Sequence, residues 1–431
     1  MSKNLKLTTN IQSKLNYYFS SFGFVLTNPE IRCVKQMILG LLKGKSVFVN
    51  KVAGFLQESI SLKKTCKRLA YHYNKEGFWK KVTEDHLHRV SEKVYHGDWL
   101  VLDLSDIQKK YARMMEGLAF VKDGNSDKIG LGYWLVNIIG INAKSENIIP
   151  LYNKLFSYEC GSVSENKEIM AAIGTVRQIV KKTVTWILDR GADRPVLFGY
   201  FIENSLEFII RLTKKRKLVY KGQKHAVNEI SKKVKLNYQV WVTKIKKNRP
   251  VKMLYCIGAV QVQYEHKGQL EKMWLVVTKT DGKGYCWLLT NKVFDSAYEA
   301  ATQTFEGYGF RWKIEEYHRH IKQQYSLEDI QIKTFNGLQS MLSILMIAMY
   351  MLYRELAPLH DRIILEGGIK TMVKNNIREL RNFIYYKIGT LVADLLAGVT
   401  FNDLNYKNLH PPENQLQLPL NLTDNLFLGD G

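Results

Sequence analysis

The sequence predicts an α/β fold flanked by helical regions, and three observations carry that expectation. Residues 1–95 repeat apolar positions at helical spacing. From residue 96 the period changes, and short apolar strand-type runs alternate with helix signals. From residue 213 strand-like pieces alternate with basic turns, before helical patterning returns near residue 296 and dominates residues 336–405. A chain of 431 residues, 46% hydrophobic and 12% aromatic, can bury sizeable cores. At about 150 residues per domain it has room for two to three domains.

The elements follow in order. Asn28-Pro29 opens a helix through Ile31–Leu42, and Val47–Leu56 and Ser61–Tyr73 read as short helices joined by a turn. Trp99–Asp103, Tyr133–Gly140 and Asn147–Phe156 read as strands. Ser162-Val-Ser-Glu165 has capping-box spacing and opens a helix through about Lys182. Thr183–Asp189 is a fourth strand, Pro195–Ile202 a short helix and Leu206–Leu212 another strand. Val240–Val242, Met253–Val262 and Met273–Thr278 mark a β-rich insertion over 213–290. A long helix is expected from about Glu306 through Gln324, and the tail from Pro411 is expected to be loosely ordered. The expected organisation is therefore a helical domain at 1–95, a core in two parts at 96–212 and 291–335, the insertion between them, a helical region at 336–410 and a tail at 411–431.

Charge narrows the partners. Lys and Arg number 63 against 40 Asp and Glu, a net charge of +23. That excess favours a polyanion such as nucleic acid. It is concentrated in residues 1–95, with 17 basic and 6 acidic residues, and in 214–252, with 14 basic residues and Glu229 alone opposing them. Lys63, Lys64, Lys67 and Arg68 fall largely on one helical side and are candidate contacts to DNA. Membrane insertion is the weaker reading, because the most apolar run, Leu338–Leu352, is interrupted by Gln339, Ser340 and Ser343 and falls short of the roughly 20 residues a span needs. The five scattered cysteines form no C-x-x-C pair, and no apolar signal core follows Met1, so a reducing cytoplasm is expected.

Three acids stand out by position. Asp103 and Asp189 each end an apolar strand, and Glu315 lies on a helix far downstream. Carboxylates held at strand ends can converge on a cleft as hard-oxygen ligands for Mg²⁺ or Mn²⁺. Two ions about 3.5–4 Å apart would then serve in-line displacement at phosphorus. Asp106, Asp193 and Glu316 compete with the three. Tyr308, Arg311, Glu315 and Lys322 are separated by three, four and seven residues, so at about 100° per residue they fall on one narrow stripe of a continuous helix. An aromatic, two cations and a carboxylate make an odd amphipathic face but a sensible phosphate site. Glu316 is rotated off it.

Tyr308-x₂-Arg311-x₃-Glu315-x₆-Lys322 resembles the Tyr-Arg-Glu-Lys signature of bacterial insertion-sequence DDE transposases, the subgroup that cuts and pastes through DNA hairpins. Val101-Leu-Asp103-Leu-Ser105, Ile187-Leu-Asp189-Arg-Gly-Ala-Asp193 and Phe208-Ile-Ile-Arg211 are similar to its other segments, and the resemblance spans about residues 95–355. It implies an RNase H-like catalytic core carrying a β-rich insertion, with two Mg²⁺ (or Mn²⁺) ions on Asp103, Asp189 and Glu315. It implies that Tyr308, Arg311, Lys322 and Arg211 bind phosphates, and that a Trp of the insertion stacks a flipped base. Trp287 resembles that Trp, with Trp274 as its rival, while Trp312 sits beside the site or in the core. The expected partners are the transposon ends and target DNA, and a second copy through the C-terminal helices, in a bacterial cytoplasm at the nucleoid. A catalytically silent, transposase-derived DNA-binding protein and another RNase H-like nuclease are the alternatives.

Overall fold

The computed structural model describes residues 3–122, 129–161, 164–246, 249–280, 282, 284–366 and 384–404. Helices α1 (Lys3–Ser20), α2 (Asn28–Gly44), α3 (Val49–Gly54), α4 (Leu62–Tyr73) and α5 (Phe78–Ser91) lead the chain. α2 starts at Asn28-Pro29 as its sequence suggests, and Thr27 caps it: the Glu30 carboxylate accepts from the Thr27 amide and hydroxyl, both at 2.9 Å.

The sheet then begins with β1 (Trp99–Gln108), β2 (Ala119–Lys122), β3 (Ile129–Ile141) and β4 (Ile148–Phe156), followed by α6 (Glu165–Val180), β5 (Thr185–Leu188), α7 (Pro195–Glu203) and β6 (Glu207–Arg211). β1 pairs antiparallel with β3 and parallel with β5, which pairs parallel with β6. Trp99–Leu102 and Thr185–Leu188 are buried on both faces, which is why they read as unbroken apolar runs and not as alternating ones. The cap of α6 is Ser164; Ser162 lies outside the described residues.

The expected β-rich segment forms β7 (Lys217–Tyr220), β8 (Gln223–Ala226), α8 (Val227–Ser231), β9 (Tyr238–Lys246), β10 (Arg249–His266), β11 (Gln269–Thr280) and β12 (Cys286–Thr290). It does not stand apart from the core sheet. β12 hydrogen-bonds antiparallel to both β11 and β6, so among the described residues one sheet of 12 strands runs from β2 to β8.

Two local expectations are corrected. β1 does not end at Asp103: its antiparallel pairing with β3 continues to Gln108 opposite Gly132, and only the parallel pairing with β5 stops, at Leu102. The long helix over 306–324 is also broken. α9 (Ala297–Gly309) tightens at Phe310 and Arg311 into bonds to the third residue back, then α10 (Trp312–Arg319) follows, and residues 320–324 widen into a π turn.

Helix α11 (Phe335–Tyr350) continues through a π turn to Glu355, and α12 (His360–Glu366) and α13 (Ile384–Leu395) follow. The 335–355 stretch is long and apolar enough to cross a membrane, but 89% of its most apolar window is buried inside the protein. It packs against α2, α4, α5 and β4 and is the central helix of the core. Gln339 and Ser343, two of the three polar interruptions, are buried against Asn153 on β4, whose amide donates to the Leu342 carbonyl at 2.8 Å. The tail at 411–431 lies outside the described residues.

Candidate active site

Strand register brings the first two acids together. The parallel ladder ends with Leu102 beside Leu188, so the next residues, Asp103 and Asp189, leave adjacent strands side by side. Neighbouring strands lie about 4.8 Å apart, and residues in register share a face. The same row continues to Arg211, because Leu188 pairs with Ile210. It reaches β12 as well, where Leu288 pairs with Arg211 and Cys286 lies two residues away on the same face. The Asp189 side chain accepts the Gly191 amide at 2.6 Å, which pins the turn at 190–192.

Asp103 reports the convergence electrostatically. Burial raises its carboxyl first, the charges of Asp189 and Glu315 add to this, and Arg311 and the Leu104 amide oppose them, leaving it pushed up to about 7. Like-charged carboxylates gathered in a half-buried cleft are a donor set suited to a divalent cation, whose charge would relieve that repulsion.

Helices α9 and α10 deliver the remaining groups. A Cβ at Gly307 would lie 2.5 Å from the Trp99 ring, so only glycine lets α9 approach β1 this closely. Tyr308, next along, is half-buried with its hydroxyl raised to about 12, chiefly by burial, and Arg311, Arg211 and Asp189 all act on it. Arg311 bonds Glu315 one turn on. Lys322 lies beyond the π turn, 3.5 Å from Asp106 and 3.3 Å from Glu328. Asp103, Asp189, Glu315, Tyr308, Arg311 and Arg211 are thus brought together, and Lys322 contacts Asp106, three residues along β1.

The rival acids are otherwise engaged. Asp193 accepts from the Thr213 amide and hydroxyl, both at 2.7 Å, and pairs with Arg216 at 2.6 Å. Glu316 is pushed up to about 8 by burial and acts on Tyr385 and Tyr386 of α13, away from the other acids.

Sequence reasoning missed His318 and Asn137. Asn137 sits opposite Asp103 in the β1–β3 ladder and donates its amide to His318 Nε2 at 2.8 Å. Burial, then Lys322 and Arg311, drive the His318 pKa down to about 3, so the ring is neutral. With Nε2 accepting, the proton sits on Nδ1, which faces Asp103 Oδ2 at 4.0 Å. The available signal was helical: His318 falls three residues after Glu315 on one turn of α10.

The tryptophans divide. Alternation along β12 turns Trp287 to the opposite face from Cys286, and its indole N–H is buried without a partner among the described residues. The structure therefore does not place Trp287 with the acids. Trp274 lies on β11 opposite Thr290, and Trp312 is 41% exposed at the start of α10. On α4, Lys63, Lys64 and Lys67 are exposed. Arg68 instead bonds both Glu58 oxygens at 2.7 and 2.8 Å and Gln36 at 2.7 Å, and ties α4 to its neighbours.

Among the described residues, no three acidic, histidine or cysteine side chains stand close enough together to hold an ion as they are oriented here. Glu315 is turned to Arg311, and Asp103 and Asp189 each accept a local amide.

The fold and site define a mixed α/β protein that gathers three carboxylates, two guanidinium groups and a phenol around one face of a central sheet. Residues 151–352 match the model of the transposase DDE domain, and this supports a DNA transposase with endonuclease activity. The matched stretch contains Asp189 and Glu315 and begins after the strand that carries Asp103. Mixed sheet and helices are consistent with an RNase H-like enzyme of that kind, and DDE transposases generally use divalent metal ions. No curated protein matches the sequence. Among solved structures, Ciona intestinalis Endonuclease V in complex with a 24mer DNA containing an inosine is similar at a TM-score of 0.24 and 9% identity, over 52% of this chain and 87% of that one.

Proposed function

We propose that this chain is a cut-and-paste transposase that binds the terminal inverted repeats of its element, cleaves through a DNA hairpin and joins the freed ends to target DNA. The observation that carries the reading is the single-faced row of Asp103, Asp189 and Arg211, closed by Arg311 from the turn before α10 and Glu315 from α10. Asp103, Asp189 and Glu315 would hold two Mg²⁺ or Mn²⁺ ions, which supply Lewis-acid polarisation of the attacking and leaving oxygens. Arg311 leaves Glu315 to hold a non-bridging phosphate oxygen, Arg211 and Tyr308 approach from the sheet side, and Lys322 exchanges its carboxylate partners for phosphate. The neutral His318 ring holds its proton toward Asp103 at 4.0 Å, from where it would donate to that carboxylate if the two close on an ion.

Each chemical step is a displacement at phosphorus. Water first replaces the 3′-oxygen at the element's end, which leaves as a hydroxyl; that hydroxyl attacks the opposite strand, expelling the flanking DNA's 3′-oxygen and closing a hairpin. A second water reopens the hairpin, and the regenerated 3′-hydroxyl attacks the target, displacing a target 3′-oxygen. Lys63, Lys64 and Lys67 contact phosphates of the ends, and Trp287 stacks a base flipped at the hairpin. The helices after residue 336 join two copies in the synaptic complex. The test is a supercoiled plasmid carrying the open reading frame's own flanking DNA, incubated with the protein and Mg²⁺. Nicks at one flank followed by hairpin ends support the reading. Blunt or random cuts without hairpins point to another nuclease, and binding without cuts to a catalytically silent protein.

A further inference from the structure

The segment that leaves β1 toward β2 is fastened down yet holds two large apolar side chains in solvent. Lys109 is buried and donates from Nζ to the carbonyls of Glu328 at 2.7 Å and Ile330 at 2.5 Å. Arg113 caps the Ala112 carbonyl at 2.9 Å. The Glu116 amide bonds the Lys333 carbonyl at 2.8 Å, its carboxylate takes the Phe335 amide at 2.8 Å, and its carbonyl takes the Tyr133 hydroxyl at 2.7 Å. On this braced frame Tyr111 is 94% exposed and Met114 82% exposed. Between it and residues 328–333 lies an open groove of about 790 Å³. Lys110, Arg113 and Lys333 line it and are exposed.

We infer that this groove is a second DNA track, which carries the duplex beyond the cleavage point, with phosphates on Lys110, Arg113 and Lys333 and with Tyr111 and Met114 pressed against a base step. The inference rests on the transposase reading. Exposed cations interleaved with an aromatic and a thioether match a duplex, whose backbone needs positive charge and whose steps accept apolar wedges. The groove also lies in line with the chemistry. Six residues of strand separate Asp103 from Lys109, roughly 20 Å at about 3.3 Å per residue, which is roughly six phosphates along one strand of a duplex. Glu328, which lines the groove, holds Lys322, so the groove adjoins the lysine at the margin of the site. The large side chains cover no core and the loop holding them is ordered by its bonds, so local collapse does not explain them.

The test uses the full-length protein and a random-sequence 40-bp duplex, titrated from 50 to 300 mM salt, beside nicking of supercoiled plasmid by the wild type with Mg²⁺. Replacing Lys110, Arg113 and Lys333 together by Ala should shallow the log-affinity against log-salt slope by about two to three. Tyr111→Ala with Met114→Ala should weaken binding about 5- to 100-fold at an unchanged slope. All these side chains are exposed, and unchanged thermal unfolding confirms an intact fold; charge reversal by Lys110→Glu with Arg113→Glu gives a second, larger loss. Wild-type nicking with DNA affinity unaltered in all variants overturns the groove assignment while leaving the transposase reading standing. Unaltered affinity with an altered sedimentation coefficient overturns it too and marks the face as a contact between copies. Absence of both nicking and DNA binding in the wild type removes the reading on which the inference rests.

Discussion

Lys322 lies 3.5 Å from the Asp106 carboxylate and 3.3 Å from that of Glu328, so the one lysine proposed to bind phosphate is held by two acids in the free protein. Phosphate has to compete for it. Asp106→Asn combined with Glu328→Gln should therefore tighten binding of a nonspecific duplex by about 2- to 10-fold, in line with the small worth of each screened pair. An anisotropy titration at 100 mM salt reads this directly, and weaker binding would show that the acids orient Lys322 and do not restrain it.

Asp103→Ala, Asp189→Ala and Glu315→Ala should each abolish nicking with Mg²⁺ while leaving duplex affinity within about twofold. In the proposed function the basic surfaces supply affinity, and the acids act on the chemical step. Glu316→Gln is the control, because its side chain faces α13. Near-normal nicking by any of the three removes that residue from the site.

The pH dependence of stability follows from Asp103. Its carboxyl sits near 7 in the fold, against about 3.9 in an unfolded chain. Between those values the fold keeps a proton that the unfolded chain has released, so this group's contribution to stability falls as pH rises from about 4 to about 7. Asp103→Asn should match the wild type at pH 4 and melt a few degrees higher at pH 8. Added Mg²⁺ should raise the wild-type melting temperature at pH 8 and narrow that gap. Scanning calorimetry at both pH values decides it, and a gap that does not change with pH would contradict the assignment.

On α4, charge and stability should separate. Lys63→Ala, Lys64→Ala and Lys67→Ala together should reduce the salt dependence of DNA binding by about two to three phosphate equivalents, with no change in melting. Arg68→Ala should cost about 1–3 kcal/mol of stability, because it leaves Glu58 and Gln36 short of a donor. Urea unfolding of the two variants beside the DNA titration distinguishes them.

Trp287 offers a sharper contrast than its sequence context suggested, since alternation along β12 turns it from the face that Cys286 shares with Tyr308. If it stacks a flipped base, Trp287→Ala spares the first nick and slows hairpin formation about 5- to 150-fold. If it only packs in the sheet, melting falls and both steps slow together.

Much of this was legible locally. Asp103 and Asp189 could be chosen because each follows an apolar run, and the runs are apolar because the strands are covered on both faces. Glu315 was separated from Glu316 by helical phase, and its contact with Arg311 needs only one turn of α10. Pairings across the sheet were not legible. Nothing local to Cys286–Thr290 says that it inserts between β6 and β11, and nothing near Asn137 says that it lies opposite Asp103. The break at Phe310 had a local signal, because Gly307 and Gly309 flank Tyr308 and α9 ends on Gly309, but the approach of α9 to Trp99 at Gly307 is a tertiary event. Lys322 with Asp106 joins residues 216 apart in sequence, through a turn whose π widening no periodicity foretells.

The position of α11 bears on how the chain comes off a ribosome. Helices α2 and α5 bury their apolar sides against α11, which is not complete until Tyr350. At roughly 5–20 residues per second, the 259 residues between the end of α5 and that point take roughly 13–50 s to synthesise. Through that interval the nascent amino-terminal helices carry greasy, uncovered flanks, and the polypeptide is a client for chaperones until its own later segment arrives to sheathe them.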